Sequence, residues 1–167
     1  MFRVMIADDE KSVIVILLES VLWDELELEV VGTAPDGKEA LSMVREKDID
    51  IAILDIRMPS ISGLELCERL RRENNQIQVI IISGYAEFAY AEKAIQYGVI
   101  GYCLKPLEYT LVTKYLGKAV QNIKAARHIS VKEDLIDVLE RQDIAEIQRY
   151  LDRLGFSSKS YYVAVSA

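Results

Sequence analysis

Histidine is nearly absent from this chain, with His128 the single example in 167 residues, and cysteine appears only twice, as Cys67 and Cys103. None of the three has a ligand-spaced neighbour, so the sequence carries neither a zinc pattern nor a disulfide framework, and a reducing cytoplasm fits best. Basic charge is also short: 20 Lys and Arg against 27 Asp and Glu leave a net charge of −7. A surface of that sign is poorly suited to neutralising phosphates, which argues against direct nucleic-acid binding by this segment. No apolar run approaches the ~20 residues of a membrane span. The opening Met1 to Ala7 meets Asp8-Asp9 too soon to form a signal-peptide core. The expectation is a soluble, cytoplasmic protein with no membrane partner.

What is present is ordinary globular material, 51% hydrophobic and 28% charged. The length suits one domain of the usual size, roughly 100 to 150 residues, with an extension.

Short apolar segments alternate with helical ones over the first two-thirds, the pattern of parallel strands joined by crossover helices. Phe2 to Ala7 reads as a buried strand. Val13, Ile14, Leu17, Leu18, Val21 and Leu22 recur at helical spacing. From Leu26 to Ala34, Leu26, Leu28 and Val30 alternate with Glu25, Glu27 and Glu29, the signal of an edge strand with one wet face. After the turn Pro35-Asp36-Gly37, a helix carries Ala40, Leu41, Met43 and Val44. Ile51 to Leu54 and Val79 to Ile82 are apolar on both faces, as central strands of a parallel sheet are. Between them a helix carries Leu64, Leu66, Cys67 and Leu70, and after them Phe88 to Tyr97 forms a helix stopped by Gly98. Gly101 to Leu104 is the fifth strand, and the fifth helix runs from about Leu107 past Ile123. The fold expected is α/β: a doubly wound five-stranded parallel sheet flanked by five helices, with a C-terminal helical extension.

Beyond Arg127 the rhythm changes. Apolar residues from Val131 to Leu154 predict one or two further helices ending near Gly155, and Tyr161 to Val165 reads as a strand lacking a downstream partner. The domains expected are 1–125, a helical linker over 126–156, and over 157–167 the start of a downstream domain that the chain breaks off inside.

Ligands of doubly wound sheets bind outside the carboxyl ends of the strands. Asp8-Asp9 follows the first strand, Asp55 the third, Ser83 the fourth and Lys105 the fifth. Three carboxylates gathered at neutral pH repel one another unless a cation neutralises them or their pKa values rise. Magnesium suits such a site, since it prefers oxygen ligands and takes one or two carboxylates with the remainder from phosphate and water. A carboxylate nucleophile forms an acyl phosphate, and catalysis then consists of positioning and of neutralising the phosphoryl oxygens, which a cation, a lysine and a hydroxyl can supply.

Asp8-Asp9, the run Asp55-Ile56-Arg57-Met58-Pro59 with Gly63, Ser83-Gly84 and Lys105-Pro106, in this order, resemble the receiver domain of two-component response regulators, a flavodoxin-like fold, over residues 1 to 125. The resemblance implies that Asp55 is phosphorylated by a sensor histidine kinase. It implies Mg2+ held by Asp9, Asp55 and the backbone carbonyl of Arg57, with Asp8 acting through a water. Lys105 and the Ser83 hydroxyl then contact phosphoryl oxygens, the Lys105–Pro106 peptide is cis, and Tyr102 is the aromatic switch that turns inward with Ser83. Arg57 and Tyr85 occupy positions that tune the lifetime of the acyl phosphate, and a long cation and a bulky tyrosine there imply slow self-dephosphorylation. The protein would act as a signalling receiver rather than a metabolic enzyme.

The face of the fourth and fifth helices, with Tyr90, Lys93, Tyr97, Lys114 and Lys118, is the expected homodimer surface. Ser83-Gly84-Tyr85 and the run from Tyr97 to Pro106, with the helical extension, are similar to response regulators that end in an AraC-type DNA-binding domain. DNA would be reached only through that domain, which this chain lacks, for transcriptional control. Two other readings are an unphosphorylated receiver-like module and a magnesium-dependent phosphatase of the haloacid-dehalogenase type. The latter needs a second acid two residues after the nucleophile, where this chain has Arg57. Cys67 and Cys103 read as buried small hydrophobes.

Overall fold

The computed structural model describes residues 1–73, 75–84, 88–140 and 149. The chain divides into two units, Met1–Ile123 and Lys124–Ala167. The first unit alternates strand and helix: β1 (Phe2–Ala7), α1 (Lys11–Ser20), a 3-10 turn (Asp24–Leu26), β2 (Leu28–Ala34), α2 (Gly37–Glu46), β3 (Ile51–Asp55), α3 (Gly63–Arg72), β4 (Gln78–Ser83), α4 (Phe88–Gln96), β5 (Gly101–Leu104) and the start of α5 (Tyr109–Glu140). All strand pairs are parallel, in the order β2-β1-β3-β4-β5. This is the doubly wound, flavodoxin-like sheet expected from the alternation.

Each central strand divides its residues between two cores, which is why it reads as apolar on both faces. Met5, Ala7, Ala52, Leu54, Val79 and Ile81 pack with α2, α3 and α4 through residues such as Leu41, Leu66 and Leu70. Val4, Ile6, Ile51, Ile53, Ile80 and Ile82 pack with α1 and α5 through Leu17, Val112 and Leu116. Each of the Val, Leu, Ile and Met side chains among these contributes about 1.5–3 kcal/mol on full burial.

Capping fixes where the helices begin and end. The Asp36 carboxylate accepts from the Lys38 and Glu39 amides at 2.8 and 2.9 Å to start α2, and the Ser62 hydroxyl accepts from the Glu65 amide at 3.2 Å to start α3. Gly98, at φ 66°, closes α4: its amide donates to Ile95 and that of Val99 to Ala94, a Schellman arrangement.

Three local expectations change. The second strand begins at Leu28, because Asp24–Leu26 forms a 3-10 turn closed by Glu27 in the left-handed region and by the Leu28 amide donating to Trp23. Leu26 still packs on the α1 and α5 side, through the turn instead of strand alternation. On α1, Ile14 and Leu17 are buried with Val21 just beyond, whereas Leu18 and Leu22 are 40% and 63% exposed. The helix ends at Ser20 and Val21 is extended, so Leu22 leaves the helical stripe. Finally, the expected C-terminal helical extension is, as far as Glu140, a continuation of the fifth helix and not a separate helix beginning after Arg127. The expected helical residues from Ile144 to Leu154 and the strand from Tyr161 to Val165 lie outside the described residues. No helix among the described residues is long and apolar enough to cross a membrane.

Candidate functional site

From β1 the chain winds to β2 on one side of the sheet and then crosses to β3 on the other, so the strand order reverses at the β1–β3 junction. Crevices at such a junction open at the carboxyl ends of the strands. Ala7 of β1 pairs with Leu54 of β3, which leaves Asp8 and Asp55 side by side at that edge. Asp55 is paired with Ile82, one residue before Ser83, and Ser83 with Leu104, one residue before Lys105. Strand register alone therefore sets Asp8, Asp55, Ser83 and Lys105 in a row along one edge.

The Lys105 ammonium is the centre of the row, 2.9 Å from Asp8 Oδ2, 2.9 Å from Asp55 Oδ1 and 2.8 Å from Glu10 Oε1. Its backbone is fixed by its amide donating to the Ser83 carbonyl at 2.8 Å, and the Lys105–Pro106 peptide is cis, as the resemblance implied. Burial works against the ammonium, but the carboxylates of Glu10, Asp55 and Asp8 outweigh it and hold Lys105 above its ordinary pKa.

Asp8 and Asp55 are buried, and so is Ser83. Asp55 Oδ2 accepts from the Arg57 amide at 2.5 Å, and Asp8 Oδ1 from the Glu10 amide at 2.9 Å. Asp8 Oδ2 is shielded from solvent and receives no hydrogen bond of proper direction, so the Lys105 charge is what faces it. Burial, aided by the Asp55 charge, raises the Asp8 pKa despite the nearby Lys105 ammonium and the hydrogen bond from the Glu10 amide.

The loop after β3 is shaped by close backbone approach. Gly63 opens α3 directly against β3, where a Cβ would collide with the Asp55 carbonyl, and its amide donates to Ile56 at 3.0 Å. Met58 is buried under this loop, while the Arg57 side chain is exposed. Asp9 is exposed and lines a cavity of about 530 Å³ together with Arg57, Met58, Pro59 and residues of α3 and α4.

The structure thus brings together four of the residues expected from sequence, Asp8, Asp55, Ser83 and Lys105, with Asp9 and Arg57 at the cavity beside them. Tyr102 is half-buried against the core on the α2, α3 and α4 side. Tyr85 lies outside the described residues. Of the expected dimer surface, Tyr90, Lys93 and Tyr97 line the cavity beside Glu65 and Glu68 of α3, whereas Lys114 and Lys118 are exposed on α5. Glu10 was missed. It is the third acid of the run Asp8-Asp9-Glu10, and the run alone does not say which of the three meets Lys105.

Among the described residues no group of three or more His, Cys, Asp or Glu is arranged to hold a metal ion. The donor chemistry nevertheless fits a hard cation. Three carboxylates share a single ammonium, and one buried carboxylate oxygen lacks a directed donor.

The model of the response regulator receiver domain matches residues 4–116. The chain belongs to that family. It is 30% identical over 167 residues to an uncharacterized transcriptional regulatory protein, YesN, of Bacillus subtilis (strain 168), covering 96% of this chain and 41% of that protein. It is 33% identical over 165 residues to an uncharacterized response regulatory protein of Staphylococcus epidermidis (strain ATCC 12228 / FDA PCI 1200), covering 97% of this chain and 64% of that one. Among solved structures, the receiver domain of AraT, a response regulator from Geobacillus stearothermophilus, superposes with a TM-score of 0.70 at 35% identity, over 75% of this chain and 98% of that one. The chain spans about half the length of the curated relatives it matches. Receiver domains are signalling modules of two-component systems that take a phosphoryl group from a histidine kinase and generally bind Mg2+ at the acidic phosphorylation site; they are not metabolic enzymes.

Proposed function

We propose that Asp55 is the phosphoryl acceptor of this receiver. The observation that carries the reading is the Lys105 ammonium 2.9 Å from Asp55 Oδ1 at the point where the strand order reverses. In this reading a carboxylate oxygen of Asp55 forms a bond to phosphorus as the bond from phosphorus to the donor breaks, and the donor leaves with its electron pair. Lys105 then neutralises charge on a phosphoryl oxygen, and the Ser83 hydroxyl, one residue along the neighbouring strand, donates to another. The Arg57 amide holds Asp55 in position through its other oxygen.

Asp9, Asp55 and the carbonyl of Arg57 would hold Mg2+, with Asp8 reaching it through water. When bound, the ion supplies positive charge against the carboxylates and the transferred oxygens. Arg57 beside the acceptor and Tyr85 beyond Ser83 hinder water, so the acyl phosphate decays slowly.

Phosphorylation adds about 1.5 to 2 negative charges. Drawing Ser83 toward them lets Tyr102 turn into the space it leaves, and the fourth helix, fifth strand and fifth helix then change their self-association. Residues 1–125 act as the receiver, 126–156 as the linker and 157–167 as the start of a downstream domain. Transcriptional control through an AraC-type DNA-binding domain is the proposed output: the names of the relatives support the transcriptional part, and the AraC type is supported by the likeness to a two component transcriptional regulator AraC of Clostridium phytofermentans ISDg, at 25% identity and a TM-score of 0.67.

The test is mass spectrometry after incubation with Mg2+ and acetyl phosphate or phosphoramidate. One added phosphate on the wild type and none on Asp55→Asn is expected. No addition to the wild type, or equal addition to both, would overturn the assignment.

A further inference from the structure

Glu10 has no part in the assignment above, yet its carboxylate holds Lys105 at 2.8 Å, as close as either buried aspartate. An ammonium has three protons to donate, and here three carboxylate oxygens crowd it at 2.8 to 2.9 Å, with Glu10 Oε1 accepting a directed hydrogen bond. A phosphoryl oxygen arriving at Lys105 must therefore displace one partner. Asp55 is the acceptor and is about to carry the phosphoryl group itself. Asp8 is 1% exposed and tied through its other oxygen to the Glu10 amide, so releasing it would leave a charge buried with no counter-ion. The Glu10 side chain is 59% exposed and can return to water at little cost.

We infer that Glu10 is the resident counter-ion of Lys105 in the unphosphorylated receiver, and that it gives way to the incoming phosphoryl oxygen. It is a positioning residue that acts through Lys105. Its charge opposes phosphorylation twice, by competing for the ammonium and by repelling an anionic donor. The repulsion of the donor acts across solvent from an exposed carboxylate, so the opposition must weaken as added salt shortens the Debye length from its value of about 8–10 Å near physiological ionic strength.

This inference rests on Asp55 and Lys105 having the roles proposed above. The experiment follows phosphoryl uptake from acetyl phosphate with Mg2+ by phosphate-affinity gel or intact mass, for the full chain and for Glu10→Gln and Glu10→Asp. At low salt, Glu10→Gln is expected to take up phosphate roughly two- to fivefold faster than the wild type, the worth of one exposed ion pair. Glu10→Asp, which keeps the charge on a shorter arm, is expected to gain less. The advantage of Glu10→Gln should shrink as salt rises to about 0.5 M, a dependence that a merely structural role would not produce. Thermal melting of each variant reports on folding separately. Equal or slower uptake by folded Glu10→Gln, or a salt-independent effect, overturns the inference while leaving Asp55 as acceptor. A wild type that takes up nothing overturns both.

Discussion

The Lys105 ammonium and the Asp55 carboxylate stand 2.9 Å apart although fifty residues separate them in sequence, and Asp8 shares the same ammonium at the same distance. Negative charge is thus in excess around one cation. Lys105→Met removes the ammonium that faces all three carboxylates, those of Asp8, Glu10 and Asp55. The loss is expected to be on the order of 2 kcal/mol, less than for a fully buried pair because Lys105 keeps some exposure. Thermal melting should show a fall of several degrees, with Mg2+ restoring more of it than in the wild type, since the variant has more uncompensated charge to neutralise. A melting point equal to that of the wild type would refute this account.

Asp8→Asn should act in the opposite sense. Burial, then the Asp55 charge, raises the Asp8 carboxyl above its ordinary value of 3.8. A group raised in the folded state favours the fold fully below its unfolded value and loses that contribution as pH rises through the folded one. At pH 7 the ionised Asp8 therefore weighs against folding, and the asparagine removes that charge at nearly the same size. A gain of about 1 kcal/mol, or roughly 2–4 °C in Tm, is expected at neutral pH. The gain should vanish as pH falls toward 3.8, where wild-type Asp8 is itself protonated. A gain independent of pH would point to packing instead.

Gly63→Ala sets two effects against each other. Alanine is the better helix former at the start of α3, by about 1 kcal/mol at most. Its Cβ, however, meets the Asp55 carbonyl, a main-chain atom at the end of β3 that cannot swing aside. Overpacking of this kind costs about 1–3 kcal/mol. The variant is expected to melt lower and to take up phosphate more slowly, because the residue it pushes is the acceptor. Gly84→Ala, whose added methyl would meet none of the described residues within 4 Å, should stay within about 0.5 kcal/mol of the wild type.

Most of the fold was legible because its signals are local. The short, isoleucine-rich apolar runs at Ile51 and Val79 read as buried parallel strands, and the charged residues fell at their ends. What was missed depends on where the chain bends. The alternation of Leu26, Leu28 and Val30 with glutamates fits a strand and fits equally a 3-10 turn that tucks Leu26 inward. Leu22 continues the helical spacing of α1 on paper, but Val21 is already extended. Glu10 was illegible as a site residue for a different reason. Its partner is 95 positions away, and the sequence does not say which of three adjacent acids will meet Lys105.

The two thiols allow a test of the core itself. Cys67 packs on the α3 side of the sheet and Cys103 on the α5 side, so each reports on a different layer. Burial pushes Cys67 up to about 12 and Cys103 to about 11, from an ordinary value of 9.0. The thiolate is the reactive form, and at pH 8 a thiol of pKa about 11 is ionised to only about one part in a thousand. Neither cysteine should react with a thiol reagent at pH 8 in native buffer, and both should react once urea unfolds the chain. The sign for stability follows from the same shift: the neutral thiols favour the fold fully below pH 9.0, and that contribution is lost as pH rises toward 11 and 12. Labelling that begins on one cysteine in low urea while the other stays protected would show the two layers opening separately. Simultaneous labelling at the global transition is the expected result for one cooperative sheet with helices on both faces.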